Sequence, residues 1–128
     1  MARLILHSGA VTYLANGSSR AKALMAVFAS EDLWPPVVPS AVLVECVTGH
    51  PEKDVQTNRF LQTCDITGTL TESRARRAAR LRTAAGCGSA VDAIVVAVAE
   101  PRGLVVTGDK VDLTALAANA IGVRIERI

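Results

Sequence analysis

Four carboxylates stand where apolar runs begin or break: Glu45 in PSAVLVECVTG, Asp92 in SAVDAIVVAVAE, and Asp109 with Asp112 in LVVTGDKVDL. A carboxylate inside an apolar segment is costly unless something pairs with it. If the fold gathers these four, a hard divalent cation such as Mg²⁺ or Mn²⁺ is the partner that satisfies them most cheaply. The opening segment, RLILHSGA, carries His7 where a further carboxylate would complete such a set.

Each acid also has a structural reading. Ser89-Ala-Val-Asp92 fits a variant capping box, with Asp92 at the third helical position, where the helix dipole favours a negative charge. Asp109 can cap the last helix, with Asp112 as its reciprocal partner. Glu45 is read as buried, because Val42, Leu43, Val44, Cys46 and Val47 make its helix apolar around most of the circumference. An unpaired carboxylate there would destabilise the fold or become protonated, and a metal or a fixed Arg would remove the problem.

Arg74, Arg76, Arg77, Arg80 and Arg82 crowd one predicted helix. Arg76 aligns with Arg80, and Arg74 with Arg77. Five guanidiniums repel one another unless an anion is near. Contact with a phosphate backbone, a solvated helix face and an acidic protein partner are three accounts of them.

The elements that must position these groups follow from apolar spacing. Strands are expected at residues 4–6, 37–38, 65–66, 104–107 and 123–126. Helical segments are expected at residues 10–14, 20–29 (capped by Ser18 or Ser19), 39–47, from Pro51 to about residue 61, 71–85, 91–100 (capped by Ser89) and 110–119. Short apolar strands alternating with helices predict an α/β sandwich with a mainly parallel sheet. In such sheets function gathers beyond the carboxyl ends of the strands, where His7 and Asp109 fall.

A chain of 128 residues is expected to form one domain over residues 1–128 with a core needing neither disulfides nor a structural metal. Only Tyr13, Phe28, Trp34 and Phe60 are aromatic, so Ala, Val, Leu and Ile must build that core. No apolar run approaches the roughly 18 to 20 residues of a membrane span, and no signal-peptide pattern opens the chain. Cys46, Cys64 and Cys87 match no zinc or redox spacing and read as reduced thiols of a cytoplasmic protein. A formal charge of +2 does not by itself imply polyanion binding.

With these residues placed, the chain resembles PIN-domain proteins, and more narrowly the VapC toxins of VapBC toxin–antitoxin pairs. The resemblance spans nearly the whole chain and rests on the order and spacing of LILHSGA, PSAVLVECVTG, GSAVDAIVVAVAE and LVVTGDKVDLTALA. It implies an α/β/α sandwich, a Mg²⁺- or Mn²⁺-dependent endoribonuclease, homodimers, and a VapB-like antitoxin whose C-terminal segment blocks the site. By the same resemblance Glu45, Asp92 and Asp109 take the metal-ligand positions. Asp112 is an accessory acid, and Thr107 a hydroxyl beside the metal. His7 occupies the position of the usual first Asp ligand.

The implied chemistry is phosphodiester hydrolysis by metal-activated water. Imidazole in place of a carboxylate removes a negative charge and offers a ligand poorly matched to Mg²⁺, so the chain as written is expected to bind Mg²⁺ weakly and cleave poorly. His7 marks either a natural degenerate member or an Asp→His change that disarms a toxic nuclease, and the intact acids elsewhere favour the second. Arg74, Arg77 and Arg80 are candidate RNA contacts, with tRNA or rRNA as the expected substrate class. The alternatives are a PIN-fold module that only binds RNA or antitoxin, and a receiver-type phosphoacceptor domain. The latter lacks an early acidic pair, having His7-Ser8 instead, and offers only Asp65 mid-chain.

Overall fold

The computed structural model describes residues 2–128. Five strands, β1 (Arg3–Leu6), β2 (Val37–Pro39), β3 (Asp65–Thr67), β4 (Gly103–Thr107) and β5 (Val123–Arg127), form one sheet in the order β3-β2-β1-β4-β5. Every pairing is parallel. Helices α1 (Ser8–Ala15), α2 (Ser19–Ser30), α3 (Leu43–Cys46) and α4 (Val55–Leu61) pack around α1, while α5 (Glu72–Ala85), α6 (Ala90–Ala99) and α7 (Val111–Ala117) pack around α6. The result is a three-layer α/β/α sandwich.

Local chemistry sets these elements. Ser18 caps α2 by accepting from Ala21 N at 3.1 Å, and Thr71 caps α5 by accepting from Arg74 N at 3.2 Å. α6 reads AVDAIVVAVA and buries Ala93 and every residue from Val95 through Ala99, as a helix apolar on nearly all sides must. It lies against β1, β2 and β4. The turn into β4 needs Gly103, because a Cβ there would sit 2.5 Å from Ala99 O.

Three expected helices are shorter than their apolar spacing suggests. Residues 39–47 divide into a 3-10 turn (Ser40–Val42) and the brief α3. The helix expected from Pro51 begins only at Val55, because the buried Asp54 carboxylate turns back to accept from Thr48 N, Thr48 Oγ1 and Gly49 N. The Thr48 amide, before any other influence, holds that carboxyl below the ordinary carboxylate range. α7 likewise spans Val111–Ala117 rather than residues 110–119.

Strand order fixes where a site can form. From β1 the chain moves to β2 and β3 on one side, then crosses to β4 and β5 on the other. The reversal point lies between β1 and β4, and in parallel sheets that is where a crevice forms beyond the carboxyl ends. Those ends are His7 and Thr107–Asp109. Among the described residues, no single helix is long and apolar enough to cross a membrane.

Candidate active site

His7 continues β1 by one residue. Its backbone is extended, with φ −83° and ψ 168°, and its N–H donates to Val106 O at 3.0 Å. The ring therefore projects into the crevice between β1 and β4. Nδ1 lies 3.2 Å from Thr107 Oγ1, and that hydroxyl donates to Asp109 O at 3.0 Å while accepting from Asp109 N at 3.2 Å. With its proton given to Asp109 O, Thr107 Oγ1 is the acceptor for Nδ1–H.

The other ring nitrogen faces the acids. Nε2 is 2.9 Å from Asp92 Oδ1 and 3.6 Å from Glu45 Oε1. It is buried and has no hydrogen-bond partner. Asp92 has two duties. Oδ2 accepts from Ser89 N at 3.0 Å and Ser89 Oγ accepts from Asp92 N at 3.0 Å, which completes the capping box of α6, while Oδ1 turns to His7. The structural and functional readings of Asp92 hold together.

Glu45 departs from expectation. Its side chain is 38% exposed, and Val44 beside it is 81% exposed. A four-residue helix has too little length to bury its whole circumference, so Glu45 is a rim carboxylate and not an enclosed one. Asp109 is exposed and accepts from Val111 N at 3.2 Å, so its carboxylate serves its own loop. The residue capping α7 is Lys110, without a side-chain bond, and not Asp109.

Asp112 is exposed in the first turn of α7, and its charge acts on the thiol of Cys87, a neighbour that composition alone did not reveal. Burial first, then the Asp112 charge, pushes the Cys87 thiol up. Also unforeseen is the approach of Gly9 to Gly108, where a Cβ on Gly9 would meet Gly108 N at 3.0 Å. Those glycines let the first turn of α1 lie against the Thr107–Asp109 turn.

The metal-ligand set expected from Glu45, Asp92, Asp109 and His7 is not assembled. Among the described residues, no group of three or more His, Cys, Asp or Glu side chains is placed to hold an ion. The physical reason is local. The His7 ring fills the point between Asp92 and Glu45 where a cation would satisfy both, and Asp109 is turned to its own backbone. The imidazole among these residues is poorly matched to Mg²⁺.

The arginines are also redistributed. Arg77 makes two bonds to Glu100, 2.8 Å to Oε1 and 2.7 Å to Oε2, and a weaker one to Asn119 O at 3.4 Å. Arg76 pairs with Glu72, and Arg82 donates to Gly88 O. Arg74 and Arg80 have no ion-pair partner among the described residues. Glu100 follows the last turn of α6, about 12 Å along the helix from Asp92 at 1.5 Å per residue. Arg77 is thus committed to a carboxylate well away from the acidic crevice.

No protein-family model matches the chain, and no curated protein matches it in sequence. Solved structures do match. One similar chain belongs to the crystal structure of VapBC2 from Rickettsia felis bound to a DNA fragment from their promoter, with a TM-score of 0.74 over 98% of this chain and 98% of that one. The fold is PIN-like. Sequence identity is 14%, so the likeness is one of architecture, and the site must be read from its own residues.

Proposed function

We propose that this chain is a VapC-like PIN-fold toxin whose endoribonuclease centre is disabled by His7. The observation that carries the reading is the placement of the His7 ring, at the strand-order reversal, between Asp92 Oδ1 and Glu45 Oε1. Oxygen ligands gathered at that point would suit Mg²⁺ or Mn²⁺, and an imidazole is poorly matched to Mg²⁺. With Asp at position 7, Glu45, Asp92 and Asp109 are the candidate ligands, and Thr107 and Asp112 the supporting groups. In the present chain the His7 ring stands against Asp92, Glu45 and Thr107 instead.

The reading brings with it a VapB-like antitoxin, a homodimer and an RNA substrate such as tRNA or rRNA. The architecture shared with a chain of the VapBC2 complex supports the first of these. Arg74 and Arg80 stand as candidate contacts to RNA, and Arg77 only if Glu100 releases it. A second reading, a PIN-fold module that binds RNA or antitoxin without cleaving, is favoured by the same His7 contacts.

The deciding experiment incubates total RNA with the protein and with its His7→Asp variant, in Mg²⁺, in Mn²⁺ and in EDTA. Cleavage by the variant alone, abolished by EDTA, is the expected result. No cleavage by either, with both folded, would leave the binding module.

A further inference from the structure

His7, Thr107 and Arg127 lie on one row across three strands. Leu6 pairs with Val106, and Val106 with Glu126. One residue further on, His7 N donates to Val106 O at 3.0 Å, Thr107 pairs with Arg127, and Ile128 N donates to Thr107 O at 2.9 Å. Residues paired in this way present their side chains on the same face of the sheet, so Arg127 projects on the face where Thr107 meets His7. At about 4.8 Å between strands, its Cα is roughly 10 Å from that of His7.

Lys110 stands on the same rim, directly after Asp109. Lys110 and Arg127 are both exposed, and neither has an ion-pair partner among the described residues. Nearby, Asp109 is turned to Val111 N, so its carboxylate has another partner.

This placement answers an electrostatic difficulty. A polyanion approaching the crevice meets Glu45, Asp92, Asp109 and Asp112, whose charges repel it. Cations on the immediate flank offset that repulsion, and cations at the far end of α6 do so less well, because salt screens exposed charges beyond about 8 to 10 Å. Arg77 is such a far cation, and it is already neutralised by Glu100.

We infer that Lys110 and Arg127 bind the phosphodiester backbone of single-stranded RNA, which leaves the acidic crevice over the carboxyl ends of β4 and β5. The inference rests on the ribonuclease reading above and names the substrate path that reading lacks. It assigns the main RNA contact to this rim and not to the arginines of α5.

The test is the anisotropy of a labelled single-stranded RNA titrated with the full chain in EDTA, where binding is read without cleavage, at salt from about 50 to 200 mM. The double variant Lys110→Gln/Arg127→Gln should weaken binding about tenfold and reduce the slope of log K against log salt by about 1.4, two contacts at 0.7 each. Arg127→Lys should keep most of the affinity, and Arg74→Gln/Arg80→Gln should weaken binding less than the rim pair does. Circular dichroism confirms that each variant is folded. Loss in the α5 pair with none in the rim pair would overturn the inference and leave the ribonuclease reading standing. Equal competition by polyglutamate would overturn it in favour of an acidic protein partner. No RNA binding by the parent or by His7→Asp would overturn both.

Discussion

The His7 ring and the Asp92 carboxylate meet at 2.9 Å, and this contact joins the end of β1 to the first turn of α6. Asp92 reaches His7 with one oxygen while the other closes the capping box on Ser89 N. Both nitrogens of His7 are engaged, one by Thr107 and the other by acids. Any cation entering between Asp92 and Glu45 has to displace the ring and strip its contacts. The carboxylates thus already have the ring against them, where a metal-dependent site must leave them open to an ion.

His7→Asp should convert that arrangement into a metal site. Thermal unfolding of the parent should be insensitive to Mg²⁺ and Mn²⁺, while the variant should melt several degrees higher with either ion and return to its starting value in EDTA. At an ion concentration about a hundredfold above Kd, the linkage is worth about 2.7 kcal/mol. The same substitution should make induced expression toxic to the host. An equal response of parent and variant to metal would show that the ring is no obstacle.

Much of this arrangement is legible in the sequence. The capping box at Ser89–Asp92, the Ser18 cap and the strand runs follow local rules of hydrogen bonding and apolar spacing, and the structure carries each of them. Glu45 departs from its apolar surroundings because apolar neighbours signal burial only when the helix is long enough to have a covered face. The late start of α4 depends on Asp54 reaching back to Thr48 and Gly49, a choice between two local hydrogen-bond schemes that spacing does not report. The engagement of Arg77 by Glu100, 23 residues away in sequence, and of Cys87 by Asp112 are tertiary matters. No periodicity encodes them.

Ser89→Ala should remove the hydroxyl that accepts from Asp92 N and cost about 1 kcal/mol, the usual worth of an N-cap. Urea denaturation should show a lower midpoint at an unchanged slope. Because Asp92 is anchored by the same box, the substitution should also loosen its approach to His7. In the His7→Asp background it should then weaken metal affinity as well as stability.

The three free thiols should react unequally. Burial pushes the Cys64 thiol up to about 11, so at pH 8 its thiolate is scarce. Alkylation should run roughly ten- to a hundredfold slower than in the urea-unfolded chain, the range reflecting the higher nucleophilicity of a more basic thiolate. Cys87 should be slowed by its own burial and by Asp112, and Asp112→Asn should speed it selectively. Mass-resolved labelling of the folded protein reads both, and uniform rates would refute the assignment.

Acid stability should report the Arg77–Glu100 pair. Glu100 accepts both guanidinium bonds and a third from Ile121 N at 2.8 Å, tying α5 and the end of α6 to the loop before β5. The hydrogen bonds from Arg77, ahead of the backbone amide and the guanidinium charge, hold its carboxyl below the ordinary value of 4.5. A lowered folded-state value means the contribution is complete above that ordinary value and disappears as pH falls through the folded one. Arg77→Met leaves a mostly buried carboxylate with one amide donor and should cost about 2 kcal/mol at pH 7. Glu100→Gln should cost somewhat less, since the amide oxygen still accepts. Below pH 4 the parent should lose stability faster than Glu100→Gln, so their urea midpoints converge as acid is added. Curves that stay parallel down to pH 3 would mean that Glu100 is not held by Arg77 in solution.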